Sequence, residues 1–342
     1  MATTQLADII EPKIFEERVV EETTRLDLFV QSGIVMSSDV FDRRANGEGD
    51  ITDLPFWNDL GNGESNVQTD DPAVKSTPDK IGMGKQIAFR NHREKDWSSM
   101  DIVANVLGQD PLDVIAGRVG KYWVGDRQKM LFSMVNGLIA DNVAANSGDM
   151  IHNVATDAAG APADAEKINP NTVLEASQTM GDAAKLLRAI AMPSRLYTNL
   201  KKSQAADFLT VSAGMKDVDG SDLTYETYLG YRLFIDDDMP IAVGANRTTY
   251  TVVLFGPGAF ALGQGTPKVP VEVWRDPSAG RGAGEERLYS RRQFILHPKG
   301  YQCTAANASG KSPTNAEYAV AGAWVRVLER KKIPLAFLKV NG

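Results

Sequence analysis

The first apolar pattern along the chain runs from Ile14 to Val30, where Ile14, Phe15, Val19, Leu26, Phe29 and Val30 make a ragged helical stripe. Pro12 interrupts it, Gly33 is a plausible stop, and Glu11, Glu16, Glu17, Glu21, Glu22 and Asp27 fill the gaps. Such a segment is too acidic for a core of its own; it reads as a solvated helix or as an arm on a neighbouring subunit. A stronger period begins at Asp110 and Pro111, an N-cap followed by a proline at the first helical position. Ile115, Val119, Tyr122, Trp123, Met130, Met134, Leu138 and Val143 keep helical spacing and predict one helix from Leu112 to Ala144. Unbroken, it would be about 50 Å long at a rise of about 1.5 Å per residue. Gly117, Gly120, Gly125 and Gly137 each cost about 1 kcal/mol against alanine, which allows a bend or break.

Residues 46–81 have a different texture. Gly47, Gly49, Gly61, Gly63, Pro55, Pro72 and Pro78 are spread among eight acids, with only Lys75 and Lys80 to balance them. A strand rich in positive charge follows from Lys85 to Arg93, and Ile51, Leu54, Phe56 and Trp57 supply a partner for it. The expectation is a long projecting hairpin with an acidic tip and a basic stem. An isolated hairpin is marginal in water, so this one needs a surface to lie on.

Elsewhere the pattern is mixed. Ser98 and Asp101 resemble a capping box for a short helix closed by Gly108. A helix is expected from Pro170 to Ala191, with Val173, Met180, Ala184 and Leu187 on one face. A short strand from Arg195 to Thr198 and a helix from Leu200 to Phe208 capped by Asn199 come next. Then follow a polar loop from Gly214 to Asp222, a strand from Leu229 to Ile235 and a strand from Thr249 to Phe255. The strands Val269 to Trp274 and Arg287 to Leu296 flank a Gly/Ser/Arg loop. A last helix is expected at Ser312-Pro313 and a paired strand segment from Trp324 to Val340.

Composition narrows the function. The chain has 342 residues, about two domains at roughly 150 residues each. With 43% hydrophobic and 24% charged residues it belongs with folded proteins. Lys and Arg number 37 against 44 Asp and Glu, and the net charge of −7 makes the whole chain no match for nucleic acid. The single Cys303 excludes an intrachain disulfide and a Cys-rich zinc site. No apolar run approaches the ~18 residues of a membrane helix, and the acidic N-terminus is unlike a secretory signal. A soluble protein made in a cytosol is expected, so the triplets at Asn246 and Asn307 are chance matches to a glycosylation site.

The chemical motifs fail on geometry. Gly256, Gly258 and Ala261 follow a strand as a dinucleotide fingerprint does, with Asp276 near the place of the ribose-binding acid. Gly263, Gly265, Pro267 and Pro270 deny the crossover helix that such a unit needs, so a plain turn is expected. Asp217, Asp219 and Asp222 begin like a calcium loop, but glycine stands fourth instead of sixth and Tyr228 is twelfth where Glu is required. Asp236, Asp237 and Asp238 are expected to face water. His92, His152 and His297 lack metal-ligand spacing, and Cys303 reads as a small packed residue beside a strand. No catalytic, cofactor-binding or metal-binding residue is expected.

The segment Tyr228 to Pro240, with a Leu-Gly turn, a strand, an acidic turn and Met-Pro, resembles the major capsid proteins of tailed bacteriophages, the Hong Kong 97-type family. Tyr250 to Gly263, a strand followed by GPGAFALG, is similar to the same family, as are Arg291 to Gly300 and Trp324 to Val340. The resemblance implies an α+β Hong Kong 97-like capsid fold. It divides the chain into an N-terminal arm (1–45), an extended loop (46–98), a peripheral domain with a long spine helix (99–150) and an axial domain (151–265). Peripheral strands (266–310) and a C-terminal part completing the axial domain (311–342) follow. It implies self-assembly as pentamers and hexamers into the icosahedral head shell of a virion, put together in the host cytoplasm around double-stranded DNA that is gripped weakly and without sequence specificity. Scaffolding, portal and decoration proteins are possible partners; no membrane, cofactor or enzyme activity is implied. For the contacts between subunits, Glu48, Asp50, Asp53, Asp70 and Asp71 are expected to meet Arg281, Arg287, Arg291 or Arg292, with Phe56 and Trp57 as buried contacts. An encapsulin-like compartment shell, another virion part such as a tail tube, and an unrecognised enzyme are the alternatives.

Overall fold

The structure is a computed structural model that describes residues 34–60, 63–76, 78–103, 111–204, 208–216, 222–304 and 312–342. The acidic arm, Gly108, the Asp110 cap and the first part of the calcium-like loop lie outside these residues.

The chain runs through β1 (Val35–Ser37), α1 (Asp39–Ala45), β2 (Ile51–Trp57), β3 (Met83–Met100) and α2 (Pro111–Ala145). Next come β4 (Ile151–Asn153), α3 (Pro170–Gln178), β5 (Ala189–Met192), α4 (Ser194–Gln204), β6 (Phe208–Lys216), β7 (Asp222–Tyr228), β8 (Tyr231–Ile235) and β9 (Ile241–Val243). It continues with β10 (Thr248–Phe255), β11 (Phe260–Gly265), β12 (Val271–Asp276), β13 (Glu285–Pro298) and β14 (Tyr301–Cys303). It closes with α5 (Asn315–Tyr318), β15 (Trp324–Arg326) and β16 (Leu335–Asn341). One sheet has the order β1-β11-β13-β3-β2, with β12 also on β13; the other has the order β4-β16-β10-β5-β8-β7-β6, with β9 on β10. The β14–β15 pair stands apart.

The helix expected from residue 112 forms without a break over 35 residues. Its apolar positions explain why the glycines do not break it. Val119, Trp123, Met130, Met134 and Leu138 are buried, joined by Leu131, Val135 and Ile139, and each large side chain so buried contributes roughly 1.5–3 kcal/mol. Gly137 is required by packing, because a Cβ there would collide with the Tyr318 carbonyl and the Trp324 indole. Val143, expected on the buried face, is exposed. The lower half of α2 joins one core with residues of both sheets, among them Phe255, Phe260, Phe294 and Phe337. The upper half packs Leu112, Val119 and Trp123 against Val271 and Leu288. A second large core lies where α3 and α4 cover the sheet through Val173, Ala176, Leu196 and Leu200.

The two sheets exchange the chain at the glycine turn. After β10 the backbone turns through Gly258, at φ +65°, and enters β11 of the other sheet. The dinucleotide-like motif is therefore a sheet-to-sheet crossover. Phe260–Gly265, expected with residues 151–265, pairs instead with β13, from Phe260↔Pro298 to Gly265↔Gln293. Its glycines, expected only to break the chain, lie under the α1 backbone.

Other expectations shift for local reasons. β3 continues through Ser98 to Met100 because β13 pairs with it as far as Glu285↔Met100, so Ser98 is no helix cap. Asn169 accepts from Thr172 N at 2.9 Å and starts α3, but the helix stops at Gln178. Gly181 takes φ +61°, and the buried Ala189–Met192 is a strand between β10 and β8, where a helix was expected. Helix α4 starts at Ser194, inside the expected strand and ahead of Asn199, because Asp237 accepts from Ser194 N at 2.8 Å and Oγ at 2.9 Å. Residues Gly214–Lys216 of the expected loop extend β6. Ser312 and Pro313 lie against β3, where Arg93 donates to the Pro313 carbonyl at 2.6 Å, and α5 starts only at Asn315, behind the N-cap Thr314 that shares a capping box with Glu317. The expected segment from Trp324 to Val340 is split into β15, paired with β14, and β16, paired with β10 and β4. The Leu229-Gly230 turn is as expected, with φ +50° and +81°.

Candidate subunit-contact surface

Strand β2 pairs with β3 from Ile51↔Phe89 to Trp57↔Met83, and Asn58 N donating to the Gly82 carbonyl at 2.9 Å carries the pairing one step further. This is the stem expected from the sequence. Arg90 anchors its base: buried, it donates to the carbonyls of Arg44 at 2.7 Å, Glu48 at 3.4 Å and Gly49. The period of two decides which side chains leave the stem. Ile51, Asp53, Pro55 and Trp57 are exposed, while Thr52, Leu54 and Phe56 are half-buried.

Beyond Trp57 no regular structure forms among the described residues before Met83. Leu60 is 72% exposed and Val67 87%, and Val74, Ile81 and Met83 are also exposed. Sequence reasoning overlooked these five; their signal was isolated apolar residues, without periodicity, in an acidic Gly/Pro-rich stretch. Asp71 Oδ1 accepts from Ala73 N at 2.8 Å and holds a local turn. One tie returns to the body, from Asp59 to Lys332 Nζ at 2.6 Å.

The expected contact residues divide into two groups. Asp53 is paired with Lys85 at 3.2 Å, Asp50 lies 3.7 Å from His92 Nε2, and the Phe56 ring lies on Gly84, where a Cβ would touch it. Arg287 is bound to Glu285 at 2.7 Å and lies over Trp274, and the Glu285 carboxylate raises its pKa. Arg291 is bound to Glu272 at 2.9 Å and donates to the Val269 carbonyl at 3.2 Å. Arg292 is half-buried opposite Arg93. These groups are engaged within the chain. Glu48, Asp70, Asp71 and Arg281 are exposed and make no ion pair among the described residues, and Trp57 is 67% exposed.

Nothing described is arranged for catalysis. Cys303 is buried and its thiol is pushed up to about 12 by desolvation, which leaves no thiolate to attack. His297 is buried, with Nε2 donating to the Tyr301 carbonyl at 2.8 Å, and burial lowers its pKa to about 4. Among the described residues no three His, Cys, Asp or Glu side chains gather as a metal site requires. The acidic triplet does more than face water: Asp237 caps α4, while Asp236 is half-buried, accepts from Asp238 N at 2.8 Å and has its pKa raised by burial.

An extended stem with an exposed apolar loop, mounted on two sheets around one long helix, is an arrangement that other proteins share. The family described as Major capsid protein 13-like matches residues 39–334. The major capsid protein of Bacillus phage SPP1 is 33% identical over 343 residues, covering 99% of this chain and 98% of that protein. The chain belongs to this capsid family. As a member it is a major capsid protein of a tailed phage, a structural protein and not an enzyme, with its place in the capsid of the virion. Solved capsids of the same fold include that of cyanophage Pam1, at TM-score 0.55 and 11% identity over 90% of this chain and 88% of that one. The capsid of Ralstonia phage GP4 gives TM-score 0.54 and 11% identity over 80% of this chain and 84% of that one. At this identity they establish the fold alone, the Hong Kong 97-like α+β architecture. Family membership decides for a phage capsid protein over an encapsulin, a tail tube or an enzyme.

Proposed function

We propose that copies of this capsid protein gather as pentamers and hexamers into a closed icosahedral head shell, assembled in the bacterial cytoplasm. The shell encloses double-stranded DNA, contacted weakly and without sequence specificity, and works with portal, scaffolding and decoration proteins. In this reading residues 1–45 are the arm, 46–98 the loop that lies across a neighbouring copy, and 99–150 the spine-helix part of the peripheral domain. Residues 151–259 and 311–342 build the axial domain, and 260–310, where β11 pairs with β13, add peripheral strands.

The observation that carries the reading is the loop beyond the stem, where Trp57, Leu60, Val67 and Val74 are exposed on a segment with no core of its own. Apolar surface gains about 25 cal/mol per Å² when removed from water, so cover from a neighbour supplies affinity. Glu48, Asp70 and Asp71 set the register, with Arg281 as one basic counterpart; exposed pairs of this kind contribute only about 0–1 kcal/mol each.

Reversing Asp70→Lys and Asp71→Lys tests this. Electron microscopy of the wild type is expected to find closed icosahedral shells. The double variant is expected to give fewer of them, while its unassembled chain keeps the wild-type thermal unfolding. An unchanged particle yield removes these acids from the contact, and a wild type that stays monomeric under all assembly conditions removes the shell itself.

A further inference from the structure

Helix α2 leaves one long face uncovered. Its exposed side chains among those described are Val114, Arg118, Lys121, Tyr122, Lys129, Asn136 and the last three residues, Val143 to Ala145. At 3.6 residues per turn, the positions from Val114 to Asn136 fall within an arc of about 100°. None of them is acidic, in a chain whose net charge is −7. Asp141 is buried, and Asp126 is half-buried beside the stripe, shared among Arg93, Lys129 and Arg127. Arg118 and Lys121 have no acid partner among the described residues. Gly125 lies mid-arc and Gly117 at its margin, and a Cβ at either would meet nothing within 4 Å. The subunit's own packing thus gives no reason for glycine at two positions where it costs about 1 kcal/mol each.

We propose that this face of the spine helix receives the phosphate backbone of double-stranded DNA on the inner side of the shell. The inference rests on the shell reading above and adds to it the residues that touch the cargo: Arg118, Lys121 and Lys129, with Gly117 and Gly125 letting a backbone approach closely. The other polyanion at hand is the acidic loop of a neighbouring copy. That loop brings Leu60, Val67, Val74 and Ile81, which need apolar cover. Between Arg118 and Lys129 the stripe offers only Tyr122 beside its charges, with Val114 and Val143 at its two ends, which suits a ligand that presents phosphates. From Arg118 to Lys129 it spans about 16 Å, along which a duplex carries roughly nine charges. Three contacts per subunit are weak singly and independent of sequence, and a shell repeats them many times.

The test compares the full-length wild type with the triple variant Arg118→Gln, Lys121→Gln, Lys129→Gln. Fluorescence anisotropy with a short mixed-sequence duplex, over a series of salt concentrations, reads the number of phosphate contacts, and electron microscopy reads assembly. The variant is expected to form shells and to lose about 2.7 from the slope of log affinity against log salt, at about 0.9 per neutralised phosphate. An unchanged slope overturns the proposal. So does loss of shells in the variant alone, which would make the face a contact between copies, or tighter binding of a peptide of residues 58–82 than of the duplex. If the wild type itself makes no shells, the shell reading fails, and the salt slopes still decide whether these three side chains bind phosphate.

Discussion

Two tryptophans on the same chain obey opposite rules. Trp324 is 1% exposed, stacked on Tyr318 with ring centroids 5.7 Å apart, and its Nε1 donates to the Tyr318 carbonyl at 2.8 Å. Trp57, at the end of the stem, is 67% exposed, and the strand it ends gives way to a loop without a core. The body around Trp324 is determined within one subunit, whereas the stem and loop around Trp57 leave apolar surface exposed. The same residue type therefore stabilises the fold in one place and, in the shell reading proposed above, the assembly in the other.

The largest effect follows directly from this contrast. Trp324→Ala empties a site enclosed by α2, α5 and β14 and is expected to cost about 3–5 kcal/mol of folding stability, as deletions of buried aromatics do. Trp57→Ala is expected to change folding by less than about 0.5 kcal/mol, the range of ordinary surface substitutions, and to reduce shell yield. Denaturant unfolding of the unassembled chain and particle counts by microscopy read the two halves separately. A Trp57→Ala variant that loses several kcal/mol of folding stability would erase the distinction between the two regions.

The contrast also explains what was legible in the sequence. The spine helix was readable because its apolar period persists over many turns; the glycines that argued for a break were outvoted by burial. The stem was readable from two alternating strands and a composition change. The helix from Pro170 to Ala191 was misread because Ala189–Met192 is a fully buried strand whose short apolar run carries no period of its own. The start of α4 was missed because its cap, Asp237, comes from a segment 43 residues away. In the loop beyond the stem, sequence showed a run of acids without a core of its own. It could not tell that Asp53, Arg287 and Arg291 are satisfied by Lys85, Glu285 and Glu272, since those pairings depend on strand register.

A somewhat smaller effect should separate the regions by pH. His297 is buried within the body, and burial lowers its pKa to about 4 from about 6.5 in the unfolded chain. Between these values the unfolded state binds more protons, so stability is present above about pH 6.5 and is lost as pH falls toward about 4. The loss reaches about 3 kcal/mol at about 1.36 kcal/mol per pH unit. His297→Gln keeps an N–H for the Tyr301 carbonyl and is expected to flatten that part of the stability–pH curve. An equally steep curve in the variant would assign the acid sensitivity to other groups, such as Asp157 and Glu166, whose pKa values are lowered by hydrogen bonds.

The smallest expected effect lies on the stem. Asp53 and Lys85 are diagonal neighbours across β2 and β3, 3.2 Å apart at their charged ends, with 55% and 60% of their side chains exposed. Water and salt screen such a pair, and a double-mutant cycle on folding with Asp53→Asn and Lys85→Met should give a coupling of no more than about 0.5 kcal/mol. In the proposed shell the pair matters more for what it withholds from assembly. An Asp53 carboxylate already facing Lys85 has less charge to offer a neighbour than Asp70 or Asp71, which make no ion pair among the described residues. Asp53→Asn is therefore expected to leave the salt dependence of shell formation unchanged, and Asp70→Asn with Asp71→Asn to reduce it. If Asp53→Asn moves the salt dependence as much as the other two together, then Lys85 releases Asp53 on assembly, and the stem is rearranged by its neighbour rather than merely covered by it.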